Sequence, residues 1–258
     1  MFDPSDAELR DLLDTSVQRF NTFAFIETDP VSIPHLFTER ADIEIAGFLA
    51  ATIAWGQRPV ILRNALQLMQ RMDMAPAQFV LQADARELKH LDGFVHRTFN
   101  GEDARTLVLG LRHVYKKHGG PEAVFANALQ QGHMAQAISA FRNALLEKPH
   151  PARSRKHIAD PAAGSSAKRI NMWLRWMVRH DKAGVDFGLW KNISPALLHC
   201  PLDLHSGNVA RKLGLLQRTQ NDWKAVEELT ANLRLLDASD PVKYDFALFG
   251  LGVFDGVK

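Results

Sequence analysis

Apolar residues recur along this chain at intervals of three and four, the period of an α-helix, in nearly every segment. "SDAELRDLLDTSVQRF" (5–20) opens with Ser5 and Glu8 at capping-box spacing and continues with leucines on one face. "ADIEIAGFLAATIAW" (41–55) is apolar almost all round, which predicts a central buried helix. "PVILRNALQLMQRM" (59–72) is amphipathic, and "EDARTLVLGLRHVYKKHGG" (102–120) ends on basic residues and a Gly-Gly stop. "PEAVFANALQQG" starts with proline in its first turn. Further helices are predicted over 133–148, 162–180, 203–214 and 221–236, the last with Asn221 as N-cap. A short helix closes the chain in "DPVKYDFALFGLGVFDG". No convincing alternating strand pattern, repeat or low-complexity tract interrupts this series, so the expected fold class is all-α. The one loop-like charged stretch is "KPHPARSRKHIADPAAGSS" (148–166).

At 258 residues the chain can bury a full core, as one large domain or two lobes sharing a cleft. With 46% hydrophobic and 23% charged residues it has an ordinary globular composition. No apolar run is long enough for a bilayer, and the acidic, amphipathic start "MFDPSDAELRDLL" does not read as a signal or transit peptide. A single cysteine, Cys200, excludes a disulfide within the chain and any four-cysteine cluster or zinc site. These features suggest a reducing, cytoplasmic compartment. There is no phosphate-binding Walker loop and no dinucleotide fingerprint. His157, His180, His199, Cys200 and His205 follow no helical ligand spacing, so no metal or cofactor is expected.

The charge is unevenly spread. Net charge is +2, yet residues 149–182 carry +6, leaving −4 on the rest. A single basic segment suits a polyanion, or it is a solvated surface that happens to be basic. On a helix over 167–180, Ile170, Trp173, Leu174 and Met177 form an apolar stripe. Lys168, Asn171, Arg175 and Arg179 fall on another face, which predicts a basic face. Ahead of it "AAGSSA" predicts a tight turn whose N–H groups would cradle a phosphate at the helix N-terminus. A lysine in the first turn opposes the helix dipole, so Lys168 is either a surface lysine reaching past the helix end or a functional residue. Asp203 follows Pro201 and precedes "LHSGNVARKLGL", where it reads as an N-cap. Capping N–H groups would also keep its carboxylate ionised beside a lysine.

"AGSSAK" followed by "PLDLHSGNVARKLGL" resembles the helix–hairpin–helix (HhH-GPD) DNA glycosylase superfamily. Gly164 matches the first hairpin glycine, and Ser166 stands where the family has its second. Lys168 falls on the catalytic lysine of bifunctional members and Asp203 on the catalytic aspartate. Arg211, Leu213 and Gly214 match the tail after it. "AGFLAATIAWGQR" resembles the segment whose glutamine, here Gln57, fills the gap left by an extruded base. The likeness covers roughly residues 40–80 and 155–216. Lys168 and Asp203 are 35 positions apart, a long spacer similar to that of the archaeal 8-oxoguanine glycosylase branch. A bacterial family sharing the block "VDFGLWKNISP…PLDLHSGNVARKLGL" is the nearest whole-chain likeness.

The resemblance implies one two-lobed domain over 1–258, with the hairpin and lysine helix at about 150–180 and the Pro-Asp helix at about 201–214. It implies a base-excision DNA glycosylase with β-lyase activity, acting on an oxidised purine such as 8-oxoguanine. Lys168 would form the Schiff base and Asp203 would stabilise the developing charge. Arg169, Arg175 and Arg179 would lower the lysine pKa by like-charge repulsion. Gly164, Ser165, Ser166, Arg153, Arg155, Lys156, Arg169, Arg175, His205 and Gln57 would contact DNA. Trp173, Trp176 or Trp190 would stack on a flipped base or pack in the core. The partner is damaged double-stranded DNA, engaged by a monomer without a membrane. The alternatives are a non-catalytic helix–hairpin–helix nucleic-acid-binding protein, a glycosylase for another damaged base, or an unrelated helical interaction protein.

Overall fold

The computed structural model describes Asp3 and residues 5–256. Part of the acidic N-terminal stretch, Met1, Phe2 and Pro4, lies outside the described residues. The helices in chain order are α1 (Ala7–Phe20), α2 (Phe23–Thr28), α3 (Arg40–Thr52), α4 (Arg58–Gln70) and α5 (Pro76–Gln82). A two-residue hairpin, β1 (Val95–His96) and β2 (Phe99–Asn100), precedes α6 (Gly101–His118), α7 (Pro121–Leu129) and α8 (Met134–Leu145). Then come α9 (Lys168–Val178), α10 (Leu204–Lys212), α11 (Trp223–Leu236) and α12 (Tyr244–Val253). The chain is predominantly helical, as the apolar period requires. No described helix is long and apolar enough to cross a membrane.

Two helix starts differ from the sequence expectation. Asp6, not Ser5, caps α1, accepting from the Glu8 and Leu9 N–H groups at 3.0 Å each. Ser5 instead bonds the Asp3 carboxylate. Asp222, not Asn221, caps α11, accepting from Ala225 N–H at 3.1 Å. In both places a carboxylate adds charge complementary to the dipole, and the neighbouring polar residue is used elsewhere. The short elements α2, α5 and the β1–β2 hairpin have too few residues to register as a period.

The chain forms two compact units, residues 26–159 and residues 1–25 with 160–258. In the first, α3 is the buried centre, with ten consecutive residues from Ile43 to Thr52 inside. Phe48 meets Phe141 edge-on at 5.5 Å, and Phe141 stacks on Phe125 at 5.1 Å, joining α3, α7 and α8. Glu44, an acid inside this helix, accepts from Tyr115 Oη at 2.6 Å and from Arg40 Nε at 2.9 Å. Asn100 and Asp103 form a reciprocal capping box on α6, and Gly119 ends that helix in the left-handed region.

In the second unit α12 packs on α1 and α10. Phe20 stacks on Phe254 at 5.7 Å, and Phe25 meets Phe246 edge-on at 5.2 Å. Trp173, Trp176 and Trp190 are buried to 1% exposure or less, with Trp173 and Trp190 edge-to-face at 5.0 Å. This aromatic core holds α9, and α9 presents Lys168.

Candidate active site

The turn before α9 starts at Asp160, whose side chain accepts from Ala162 N–H at 3.2 Å. Gly164 takes φ +86°, and Ala167, the N-cap of α9, takes φ +49°. Ser166 is not at a left-handed position, so a serine where the resembled family has glycine introduces no backbone strain there. The unusual residue is Ala167, held because its N–H donates to Ser165 Oγ at 3.2 Å and its carbonyl accepts from Asn171 N–H at 2.9 Å. Gly164 O accepts from Trp223 N–H at 3.2 Å, pinning the turn to the start of α11. The N–H groups of Gly164, Ser165 and Ala167 are thus engaged inside the protein, which leaves a smaller phosphate cradle than the sequence suggested. Ahead of the turn the chain forms 3-10 turns, Ala152–His157 and Pro161–Ala163, where a helix–hairpin–helix would have an α-helix.

Lys168 begins α9, and its Nζ lies 3.4 Å from Asp203 Oδ2. The two side chains are 28% and 24% exposed, so the pair is reachable from solvent. The two oxygens of Asp203 have separate work. Oδ1 caps α10, accepting from His205 N–H at 2.9 Å and Ser206 N–H at 3.0 Å, while Oδ2 faces Lys168. Ser206 Oγ accepts in return from Asp203 N–H at 3.0 Å, completing a capping box. Burial pushes the Asp203 carboxyl up, but Lys168 and the Ser206 N–H outweigh it, so its pKa lies below the usual range. The carboxylate is therefore ionised and oriented.

Asn221, expected as a cap, donates to the Asp203 carbonyl at 3.0 Å and accepts from Arg211 Nη2 at 2.5 Å. Arg211 also donates to the carbonyls of Arg218 and Thr219. The "ARKLGL" tail thus braces the loop that fixes Asp203 from behind.

The rear of α9 corrects the expected basic face. Arg175 is 3% exposed and bonds Asp186 at 3.2 Å and Asp245, with its guanidinium 4.1 Å over the Phe246 ring. Arg179 is also 3% exposed and bonds Asp186, Asp240 and Asp181 at 3.1, 2.8 and 2.6 Å. Burial and these carboxylates leave Arg175 no surface for DNA. Their charges are compensated, so they do not supply the repulsion expected to act on Lys168. Arg169 is half-buried, and burial lowers its pKa to about 10, which keeps it cationic at neutral pH.

The long spacer has a structural role. Phe187 and Trp190 N–H groups donate to the carbonyls of Trp176 and Met177 at 2.8 and 2.9 Å, closing the end of α9. Asp186 bridges Arg175 and Arg179, one helical turn apart. Gly188 takes φ +57°, and a Cβ there would lie 2.4 Å from His180 Cβ, so only glycine fits. "VDFGLW" is therefore a clamp on α9, and its trapped Trp190 packs in the core with Trp173 and Trp176. Of the two roles expected for these tryptophans, that burial gives all three the core one.

The remaining expected DNA contacts are divided between the two units. Gly164, Ser165 and His205 are exposed and Ser166 is half-buried, all close in sequence to the Lys168–Asp203 pair. Arg153, Arg155, Lys156 and Gln57 belong to the 26–159 unit. Arg153 bonds Asp103 at 3.2 Å and the Thr98 carbonyl at 2.9 Å, so its charge is largely compensated. Arg155 donates to His150 at 3.0 Å and remains exposed, as does Lys156. Gln57 is exposed at the N-cap of α4 and makes no side-chain cap bond. Ser206 was not expected as a partner of Asp203, although it stands three positions on, at capping-box spacing; Asp245 and Asp186 carried no local signal.

No curated protein and no solved structure matches the chain. A family model described as "Protein of unknown function (DUF2400)" matches residues 29–254, which includes the turn, Lys168, the clamp and Asp203. The chain belongs to the DUF2400 family.

Proposed function

We propose that the protein is a base-excision DNA glycosylase with β-lyase activity, using Lys168 as nucleophile and Asp203 as its electrostatic partner. The observation that carries this reading is the division of Asp203 between a cap and an ion pair, with Lys168 Nζ at 3.4 Å from the oxygen that capping leaves over. A carboxylate serving only as a cap has no need of a half-exposed lysine. A lysine serving only as surface charge has no need of a helix N-terminus, where the dipole disfavours it. In the proposed step Lys168 Nζ, its proton given up to solvent, attacks C1′ of a nucleotide turned out of the duplex, and the C1′–N bond to the base breaks. The base leaves with the bonding pair and gains a proton, and the sugar ring opens to an imine on Nζ. β-Elimination then cleaves the C3′–O bond. Asp203 balances positive charge developing on the sugar. The finer fold, a helix–hairpin–helix glycosylase with its cleft, is part of the same proposal and rests on the sequence resemblance.

Oxidised purine is the substrate the resemblance favours. The test is a set of duplexes carrying single 8-oxoguanine, alkylated-base or abasic sites, incubated with excess protein. The proposal expects base release with strand cleavage on one of them, lost in Lys168→Gln. Binding to all of them with release from none would replace it with the non-catalytic nucleic-acid-binding reading.

A further inference from the structure

The 26–159 unit contains a group of ligating side chains that the glycosylase reading does not use. His113 and His118 lie in the last two turns of α6, and Glu147 follows α8. His113 Nε2 is 2.9 Å and His118 Nε2 is 3.2 Å from the same oxygen, Glu147 Oε2. One donor atom from each of the three lies within 4.8 Å of the others. The histidine spacing of five residues is not the helical ligand signature, and Glu147 is distant in sequence, so the group is silent in a sequence reading.

From this convergence we propose that His113, His118 and Glu147 form a three-ligand site for a borderline divalent transition metal such as zinc. Tetrahedral ligand atoms at ~2.0–2.1 Å from such an ion stand about 3.3–3.4 Å from one another. The two nitrogen-to-oxygen distances are close to that edge, and the two nitrogens lie within 4.8 Å of each other. Two imidazoles and one carboxylate are a donor set that suits zinc, nickel or cobalt rather than magnesium or calcium. The surroundings favour the bound form in two ways. Lys117 Nζ donates to the other oxygen, Glu147 Oε1, orienting the carboxylate and leaving Oε2 to the ion. The C-terminus of α6, ended by Gly119, directs the negative end of its dipole toward the cation. Three protein ligands leave a fourth position for water. The ion would tie the end of α6 to the chain following α8, and the site is independent of Lys168 and Asp203.

The test is titration of metal-stripped full-length protein with zinc chloride by calorimetry, and with cobalt(II) followed by visible absorption. The expected result is one equivalent bound and the intense visible bands of a four-coordinate cobalt centre. His118→Ala and Glu147→Gln each weaken binding at least tenfold, and thermal scans without metal check that both variants stay folded. These residues are 31% and 38% exposed, so neither change opens a core. Absence of stoichiometric binding, or binding of equal strength in both folded variants, overturns the site.

Discussion

The two ends of α9 are built from the same ingredients and put to opposite uses. At the front, Lys168 meets one carboxylate and stays partly in water. At the rear, Arg175 and Arg179 meet four carboxylates and lose almost all of it. Spacing on the helix puts all three cations on one face, and spacing alone cannot say which will be covered. What decides is the clamp formed by residues 185–190, which delivers Asp186 to both arginines and carries Trp190 into the core. Arginine suits that role because its planar fork serves several carboxylates at once and does not give up its proton. Lysine suits the front because a compact amine on a flexible stem can reach Asp203 from the first turn and stay partly in water. The rear of the helix is thus a scaffold and the front is a candidate site.

The sharpest way to break this contrast is at the rear. Arg175→Ala leaves Asp245 buried without its arginine and Asp186 with Arg179 alone, so it should destabilise the fold by about 3–5 kcal/mol. Urea denaturation measures it. A loss below about 1 kcal/mol would mean that the network is dispensable and the arginine was held for another purpose.

The two acids nearest the comparison should respond oppositely to pH. Burial first, then repulsion from Asp203 and Asp186, pushes Asp245 up to about 6 despite its bond to Arg175. A carboxyl raised on folding binds more protons in the native state, so its share of stability is present at low pH and falls as pH rises through about 6. Asp203 is lowered, so its share is present above the ordinary carboxyl range and lost as pH falls through its native pKa. Stability against pH for wild type and Asp245→Asn separates them. The variant should lose the decline of roughly 1–3 kcal/mol between about pH 4 and 7, and an unchanged decline would assign it to another group.

At the front the stability effects should be small. Asp203→Asn keeps a good cap, so it should cost under about 1 kcal/mol while excision falls by orders of magnitude. A variant that is destabilised but fully active would make Asp203 a cap and nothing more.

The front of α9 was legible because its chemistry is local. Lys168 follows a Gly/Ser turn, and Asp203 has a cap's position relative to α10. The family match over residues 29–254 covers both without adding a role. Arg175 was read wrongly because its carboxylates come from positions 186 and 245, and no pattern along α9 announces them. The tryptophans were ambiguous for the same reason, since an aromatic at helical spacing looks alike whether it faces a core or a ligand. Asn221 and Asp222 are both good caps, and only the bond from Asn221 to the Asp203 carbonyl chose between them. Ser166 looked like a departure in the turn, but the left-handed residue is its neighbour Ala167.

The claim that Lys168 is a nucleophile, rather than half of a surface ion pair, is most directly tested by borohydride reduction in the presence of lesion-bearing duplex. The account predicts a covalent protein–DNA adduct with wild type, with the attachment mapping to Lys168 by mass spectrometry. It predicts no adduct with Lys168→Gln, whose denaturation midpoint should be nearly unchanged because a half-exposed ion pair contributes about 0–1 kcal/mol. An adduct that persists in Lys168→Gln would contradict it.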